Sequence, residues 1–166
     1  IIDAKANTTE SPLYVHLGQV VSRGDRMDFA LQKSVELGVN AITPLFSERC
    51  GVKLSGDRLE KKQQQWQKIV ISACEQSGRS HVPTVLPAVS VDDFVQTPFD
   101  GLRLTLDPYA QVPLNQIQGA RTAQRIQLII GPEGGFTDIE VEHARNHSFK
   151  PIRLGPRILR TETAAM

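Results

Sequence analysis

The chain has 166 residues, of which 40% are hydrophobic and 22% are charged, a composition typical of one globular domain with a single core. Its formal net charge of +1 neither requires nor excludes a nucleic-acid partner. No hydrophobic run approaches the ~20 residues of a membrane-spanning helix, and no segment has the pattern of a signal peptide, so we expect a cytoplasmic protein with no membrane partner. Cys50 and Cys74 are far apart in the sequence and are predicted to be reduced thiols.

The first part of the chain is predicted to form a strand, a helix and a second strand. Hydrophobic residues alternate within residues 13–21, which indicates a strand. They then recur every four positions from Met27 to Val35, which is the spacing of an amphipathic helix. The second strand is predicted over residues 39–46, where Pro44 suggests an irregular or edge position. Two strands joined by one helix favour a parallel sheet.

The longest predicted helix follows this unit. Asp57 and Glu60 have the spacing of a capping box, which would mark the start of the helix. A hydrophobic stripe runs from Trp66 to Ala73, and Gly78 is predicted to end the helix.

The remaining elements are predicted to be short. Residues 84–89 are a strand candidate, and residues 91–95 form at most a short helix. Residues 102–106 alternate strongly and end at an Asp-Pro turn, which predicts another strand. A loop is predicted over residues 111–124, and residues 126–130 form the most hydrophobic predicted strand.

A glycine-rich turn, Gly-Pro-Glu-Gly-Gly-Phe at residues 131–136, follows this last strand. Thr137 and Glu140 have the spacing of a capping box, so a helix is predicted to begin directly after the turn. Such a turn exposes backbone N–H groups beside a crevice, although many glycine turns are only structural. The turn is neither a P-loop nor the GxGxxG dinucleotide fingerprint, because the required spacings are absent.

A second stretch, residues 150–160, carries four basic residues, Lys150, Arg153, Arg157 and Arg160, and no acidic residue. Three arginines among glycine and proline residues suit contacts with phosphate. Composition alone leaves open whether they bind a ligand or form a solvated surface. Because the two stretches are close in sequence, we expect their loops to face one another across a ligand.

His143 and His147 are four residues apart, a spacing that can place two imidazoles on one metal ion. The glutamate of the HExxH motif and a third ligand are both absent. We therefore predict a surface pair and no metal site.

Together, the motifs at residues 131–136 and 154–164 closely resemble the signature of the bacterial ribosomal RNA small subunit methyltransferase E family. Shorter matches occur at residues 32–38, 47–49 and 73–79. The resemblance implies methylation of N3 of a uridine in 16S ribosomal RNA, with S-adenosylmethionine as the cofactor. It also implies that 16S ribosomal RNA is the partner, within the 30S subunit.

The fold implied by the resemblance is that of the SPOUT superfamily. It is an α/β fold whose mostly parallel sheet has helices on both faces and whose C-terminal part forms a trefoil knot. The family also implies a homodimer with its active site at the subunit interface. Residues 1–11 are expected to be a linker or the end of a missing N-terminal PUA-like domain. Residues 12–166 are expected to form the SPOUT domain, truncated at its final helix.

The resemblance further implies that three loops bind S-adenosylmethionine. The predicted cofactor-binding residues are Leu106, Asp107, Pro108, Ile130, Gly131, Pro132, Glu133, Gly134, Gly135, Leu154, Gly155, Ile158, Leu159, Arg160 and Thr163. Glycine residues in two of these loops allow close approach of the backbone to a ligand.

The predicted catalytic residues are Arg157, Arg160 and Glu162. Methylation of uracil N3 requires loss of a proton and spreads negative charge onto the neighbouring oxygens. Arginine stays protonated, so the two arginines are predicted to stabilise this charge or to orient a phosphate. Glu162 is predicted to accept the proton or to orient an arginine, with capping of the last helix as the alternative.

Two other functions are compatible with the same fold. One is ribose 2′-O-methylation of transfer or ribosomal RNA by a SPOUT enzyme. The other is a cofactor-binding RNA module without catalysis.

Overall fold

The computed structural model describes residues 9–166, so most of the segment predicted as a linker, residues 1–11, lies outside the described residues. The strands are β1 (Tyr14–Val20), β2 (Ala41–Phe46), β3 (Thr84–Val85), β4 (Val89–Ser90), β5 (Leu102–Leu106), β6 (Arg125–Ile130) and β7 (Lys150–Ile152). The helices are α1 (Asp25–Glu36), α2 (Gly56–Ser77), α3 (Val91–Gln96), α4 (Asp138–Asn146) and α5 (Thr161–Ala164). A single 3-10 turn over Leu114–Gln116 interrupts the predicted loop before β6.

The sheet has the strand order β3-β2-β1-β6-β5-β7, and β4 pairs with the end of β2. Every paired strand runs parallel to its neighbour, which confirms the predicted α/β fold. Because all strands are parallel, their carboxyl ends lie at one edge of the sheet.

Two hydrophobic cores cover the two faces of the sheet. The larger core lies beneath α1, α2 and α5, and includes Leu17 and Ile130. The smaller core lies beneath α3 and α4, and includes Val20 and Ile129. Adjacent residues of one strand thus enter different cores, as the alternation of a strand requires. The prediction of helices on both faces is confirmed.

Gly18 shows why a glycine occupies the centre of β1. A Cβ atom at this position would lie 2.8 Å from the ring of Phe94 and 2.9 Å from Leu45. The absence of a side chain therefore lets α3 pack directly on the middle of the sheet.

The strand predicted over residues 84–89 is divided in two, with Pro87 between β3 and β4. These two short strands pair with opposite ends of β2, so Pro44 lies beside the interruption. The irregularity predicted at Pro44 is confirmed, but the edge position is wrong because β2 lies between β1 and β3. A proline in an internal strand needs such a gap, since it has no N–H group to donate.

The capping box predicted at the start of α2 is wrong. The N-cap is Ser55, whose side chain forms no capping hydrogen bond, and Asp57 lies within the first turn. A carboxylate there still interacts favourably with the helix dipole. The predicted end is confirmed, because Gly78 caps α2 in the left-handed conformation.

Within residues 9–166, no helix is both long enough and hydrophobic enough to cross a membrane. Both cysteines are free, as predicted.

Arg103 of β5 connects the sheet to the helices beneath it. Its Nε atom donates to Gln127 of β6 at 2.9 Å, and its Nη atoms donate to backbone carbonyls that include those of Val95 and His147. The guanidinium also lies 4.2 Å from the ring centroid of Phe149. These contacts anchor the amino-terminal part of β5.

Arg79 performs a similar role at the end of α2. Its side chain is 4% exposed and forms an ion pair with Glu10 at 2.7 Å. Its Nη1 atom also donates to the carbonyls of Val35 and Val39, at the end of α1. The hydrogen bonds from Arg79 lower the pKa of Glu10 from its ordinary value of 4.5.

We expect Arg79→Met to lower the free energy of unfolding by about 3 kcal/mol, because buried carbonyls and a carboxylate would lose their donor. Chemical denaturation near neutral pH measures this loss. Arg121→Met, in an exposed loop, is the matched control.

The wild type and Arg79→Met also test how much the ion pair between Glu10 and Arg79 contributes to stability. A lowered pKa of Glu10 stabilises the folded protein above pH 4.5, and this stabilisation is lost as the pH falls through the folded-state pKa. Arg79→Met should therefore lose less stability than the wild type on acidification. Equal losses in both proteins would contradict this role of the ion pair.

Candidate functional site

A cleft of about 1030 Å³ lies at the carboxyl ends of β5, β6 and β7. Every residue of the two predicted sets lines it except Gly155 and Thr163, which are exposed beside it. The structure therefore brings together the three loops that the sequence indicated. A volume near the upper end of the range for small-molecule sites leaves room for one ligand and part of another.

The glycine turn after β6 forms one wall of the cleft. The N–H group of Gly135 donates to the carbonyl of Pro132 at 2.9 Å and closes the turn, with Gly135 at a φ of 69°. A Cβ atom on Gly131 would lie 3.0 Å from the ring of Phe136. Glycine therefore suits both the left-handed backbone conformation at position 135 and the close packing at position 131.

The predicted capping box holds the turn at the start of α4. Thr137 accepts a hydrogen bond from the N–H group of Glu140, and the Glu140 carboxylate accepts one from the N–H group of Thr137 at 2.8 Å. Its other oxygen accepts from the N–H group of Glu48 at 2.9 Å, in the loop after β2. Glu140 is 8% exposed and therefore connects two loops in a region with little competing water.

Two arginines from the first half of the chain also contact the turn. Arg49 donates to the carbonyls of Gly134 and Phe136, at 3.2 and 3.4 Å. Arg26, in α1, forms a 2.8 Å ion pair with Glu133. Sequence reasoning missed both contacts. Arg49 belongs to a Ser-Glu-Arg match that carried no assigned role, whereas nothing in the sequence marked Arg26.

The loop after β5 is stabilised by Asp107. Its N–H group donates to the carbonyl of Ile152 at 2.9 Å, which links this loop to the end of β7. Its carboxylate accepts a hydrogen bond from the N–H group of Tyr109 at 2.8 Å. Asp107 is therefore a turn-forming residue within the cleft.

The loop after β7 supplies the predicted catalytic residues. Arg157 and Arg160 are exposed and line the cleft, and no acidic group lies within ion-pair distance of either among residues 9–166. Glu162, in the first turn of α5, also lines the cleft. Its Oε2 atom is shielded from solvent and has no hydrogen-bond partner among the described residues. This oxygen retains an unused capacity to accept a hydrogen bond.

Other residues that line the cleft were not predicted. They include Thr105 near the end of β5, Val141 and Arg145 of α4, and Phe149 before β7. Their spacing in the sequence gave no signal for a shared site, because the sheet and α4 bring them together only in the folded chain.

The cleft is lined by charges of both signs. Besides Arg26 and Arg49, four arginines of the second half of the chain line it, together with five acidic residues. The near balance of charge suits a ligand that itself carries both positive and negative groups.

His143 and His147 lie outside the lining of this cleft. The Nδ1 atom of His143 is 2.7 Å from Asp92, and that of His147 is 2.9 Å from the carbonyl of His143. Across the part of the chain that the structure describes, no group of three or more His, Cys, Asp or Glu side chains has the arrangement of a metal site.

Comparison with known proteins gives consistent matches. A family described as "RNA methyltransferase domain" matches residues 9–166. The chain is 41% identical to the ribosomal RNA small subunit methyltransferase E of Buchnera aphidicola subsp. Schizaphis graminum, over 100% of this chain and 67% of that protein. It is 31% identical to the protein of the same name from Bacillus subtilis, over 100% of this chain and 68% of that protein.

Two similar solved structures contain a bound cofactor. The ribosomal RNA small subunit methyltransferase E of Neisseria gonorrhoeae, bound to S-adenosylmethionine, is 47% identical, with a TM-score of 0.87 over 96% of this chain and 65% of that one. A methyltransferase of Legionella pneumophila in complex with the same cofactor is 46% identical, with a TM-score of 0.85 over 95% of this chain and 64% of that one. The chain thus spans about two thirds of the length of these relatives.

We expect Glu140→Ala to lower the free energy of unfolding by about 2 kcal/mol, because the N–H groups of Thr137 and Glu48 would both lose their acceptor. Urea denaturation measures the effect, with the exposed Glu142→Ala in the same helix as the control. A loss no larger than that of the control would contradict the proposed connection between the two loops.

Proposed function

Because this chain belongs to the ribosomal RNA small subunit methyltransferase E family of RNA methyltransferase domains, we propose that it transfers the methyl group of S-adenosylmethionine to N3 of a uridine in 16S ribosomal RNA. The observation that carries this proposal is the cleft at the carboxyl ends of β5, β6 and β7. Both C-terminal motifs that resemble the family signature contribute residues to it.

The cleft fits S-adenosylmethionine in three respects. Its volume of about 1030 Å³ is sufficient for the cofactor and for part of a nucleotide. Gly131 and Gly135 let the backbone of one wall come close to a ligand. The charges of both signs match a ligand with an ammonium, a sulfonium and a carboxylate group.

We assign the cofactor to the loops after β5, β6 and β7, at the residues predicted from the sequence. Leu106 and Leu159 are partly buried and provide hydrophobic surface, whereas Ile130 and the glycine turn provide backbone donors and acceptors. When bound, the sulfonium supplies a methyl group that is already a good electrophile.

The residues of the chain then have to position the base, remove the N3 proton and stabilise the charge left on the base. Arg157 and Arg160 are exposed in the cleft and have no acidic partner within residues 9–166, so their guanidinium groups are available to stabilise negative charge on the uracil oxygens. Glu162 accepts the N3 proton or orients one of these arginines, and its unpartnered Oε2 supports this role. The target base has to leave its stack to reach the cleft.

Two features of the structure support the expected trefoil knot. The strand β7 lies at one edge of the sheet, beyond β5, whereas α5 packs against α1, which follows the central strand. Ser34 of α1 also donates to the carbonyl of Ala165 at 3.2 Å. To reach that position, the last segment has to cross the carboxyl edge of the sheet, as a threaded chain would.

The expected homodimer is supported by exposed hydrophobic side chains around the cleft. Tyr109 is 77% exposed, Ile139 is 78% exposed and Ile158 is 69% exposed. Tyr109 and Ile158 line the cleft, and Ile139 follows the lining residue Asp138, so a partner that covers the cleft would bury exposed hydrophobic surface. We propose that a second copy covers it, that residues 1–11 are a linker or the end of an N-terminal PUA-like domain, and that the enzyme acts on the 30S subunit in the cytoplasm.

Isothermal titration calorimetry should detect binding of S-adenosylmethionine and S-adenosylhomocysteine to the wild-type protein. Gly134→Val should weaken this binding at least ~10-fold, because the new side chain would narrow the cleft. The fold should tolerate it, since a Cβ atom at Gly134 meets only Arg49, at 3.7 Å. Gln118→Val, in an exposed loop outside the cleft, is the control.

The position of the methyl group distinguishes the alternative functions. Mass spectrometry of nucleosides from unmodified 30S subunits, treated with the enzyme, should find the added mass on the uracil base. A methyl group on the ribose would support the 2′-O-methyltransferase instead. Cofactor binding without any methylation would support the module without catalysis.

Glu162→Gln should lower the single-turnover methylation rate by ~10²-fold or more while cofactor affinity stays within a few-fold of the wild type. The amide cannot accept a proton but retains the size of the side chain. If Glu162 only caps α5, the rate should be unchanged and only the thermal stability should fall. That result would remove the proposed role in proton transfer.

A further inference from the structure

A second pocket, of about 450 Å³, adjoins the cleft. Three arginines line it, Arg23, Arg26 and Arg49, together with Glu133 and with glycines at positions 24, 51 and 134. We call it the arginine pocket. None of these residues belongs to the set predicted from the sequence except those of the glycine turn.

The arginine pocket lies over the carboxyl ends of β1, β2 and β6, of which β6 also borders the cleft. Arg23 follows β1, Arg49 follows β2, and Glu133 belongs to the turn after β6. The order of the strands reverses between β1 and β6, and ligands of parallel α/β sheets bind at such a point. The pocket shares Arg26, Arg49 and the glycine turn with the cleft, so a ligand here would directly adjoin a ligand there.

The three arginines and one glutamate give the pocket an excess of positive charge. Arg23 donates from Nε to the carbonyl of Gly51 at 3.1 Å, and Arg49 donates to the backbone carbonyls of Gly134 and Phe136. Among residues 9–166, Arg26 alone of these three arginines has a carboxylate within ion-pair distance. That pair, with Glu133, is 49% and 39% exposed and is therefore weak, so Arg26 is able to exchange partners.

The position of Arg23 depends on a glycine. A Cβ atom on Gly51 would lie 2.6 Å from the Nε atom and 2.8 Å from the Nη2 atom of Arg23. Without that atom, the guanidinium lies against the backbone of the loop after β2. The Nε atom of Arg23 already donates a hydrogen bond, whereas its Nη groups belong to a side chain that is exposed. An arginine held in this way loses little entropy when it binds an anion.

We propose that the arginine pocket binds a backbone phosphate of the RNA substrate, next to the nucleotide that enters the cleft. The inference rests on the proposed function and specifies how the same site holds its substrate. Guanidinium groups bind phosphate oxygens in pairs of parallel hydrogen bonds, and glycine backbones leave room for a bulky anion. A phosphate held beside the shared wall would position the extruded base over the cofactor.

Arg23→Gln is the most direct test, because Arg23 lines the arginine pocket but not the cleft, and its hydrogen bond goes to Gly51 and not to the glycine turn. Binding of a fluorescein-labelled fragment of 16S ribosomal RNA is measured by anisotropy at several salt concentrations, with saturating S-adenosylhomocysteine. The variant should bind ~5- to 10-fold more weakly, and the slope of log Kd against log salt concentration should fall by about 1. Arg121→Gln, at an exposed position outside both pockets, should match the wild type.

A chemical change in the RNA identifies the contact. Replacing single phosphates near the target uridine with uncharged methylphosphonates should reproduce the loss at one position, and Arg23→Gln should then add little further loss. Arg23→Lys should recover the salt slope but only part of the affinity, because lysine keeps the charge and lacks the planar fork.

Three results would overturn the inference. One is an Arg23→Gln variant with the same RNA affinity and salt slope as Arg121→Gln. Another is that the losses of affinity caused by Arg23→Gln and by the methylphosphonate are additive at every position of the RNA that is tested. The third is weaker binding of S-adenosylmethionine itself to the Arg23→Gln variant, which would assign the pocket to the cofactor carboxylate.

Failure of the proposed function would look different. A wild-type protein that binds RNA but never methylates it would contradict the methyltransferase activity. The salt slope of Arg23→Gln would still decide the assignment of the arginine pocket.

Discussion

The parallel arrangement of the sheet is the constraint on which the rest of the structure depends. Because every paired strand runs in the same direction, the loops after β1, β2, β5, β6 and β7 all emerge at one edge. These loops contribute to both the cleft and the arginine pocket, together with residues of the helices that follow them. Backbone groups that no longer pair within the sheet at this edge become available to bind a ligand or to hold a neighbouring loop.

The glycine turn after β6 is held by contacts with the first half of the chain. The Glu140 carboxylate joins it to the loop after β2, and Arg49 donates to two of its carbonyls. Glycine residues make the turn flexible in isolation, so a defined shape requires partners that fix it. Residues distant in sequence therefore pre-organise a site whose proposed ligand contacts lie almost entirely in the second half of the chain.

Charge divides this edge of the sheet into two regions. The cleft combines arginines and carboxylates, whereas the arginine pocket has three cations and one acid. The overall charge of +1 conceals this difference. A cofactor with both signs of charge and an anionic RNA backbone would thus occupy adjacent regions, and the glycine turn would contact both.

Local signals in the sequence determined most of the elements and many residues of the cleft. Hydrophobic spacing predicted β1, α1, β5 and β6, the capping box at Thr137 predicted α4, and the two C-terminal motifs indicated the loops around the cleft. The sequence did not predict β7, the division between β3 and β4, or the contacts of Arg26 and Arg49. Helix periodicity, caps and turns arise from interactions between residues a few positions apart, so a linear sequence contains them. The ion pair between Arg26 and Glu133 joins residues 107 positions apart, and only the packing of α1 and β6 on the folded sheet decides that they meet.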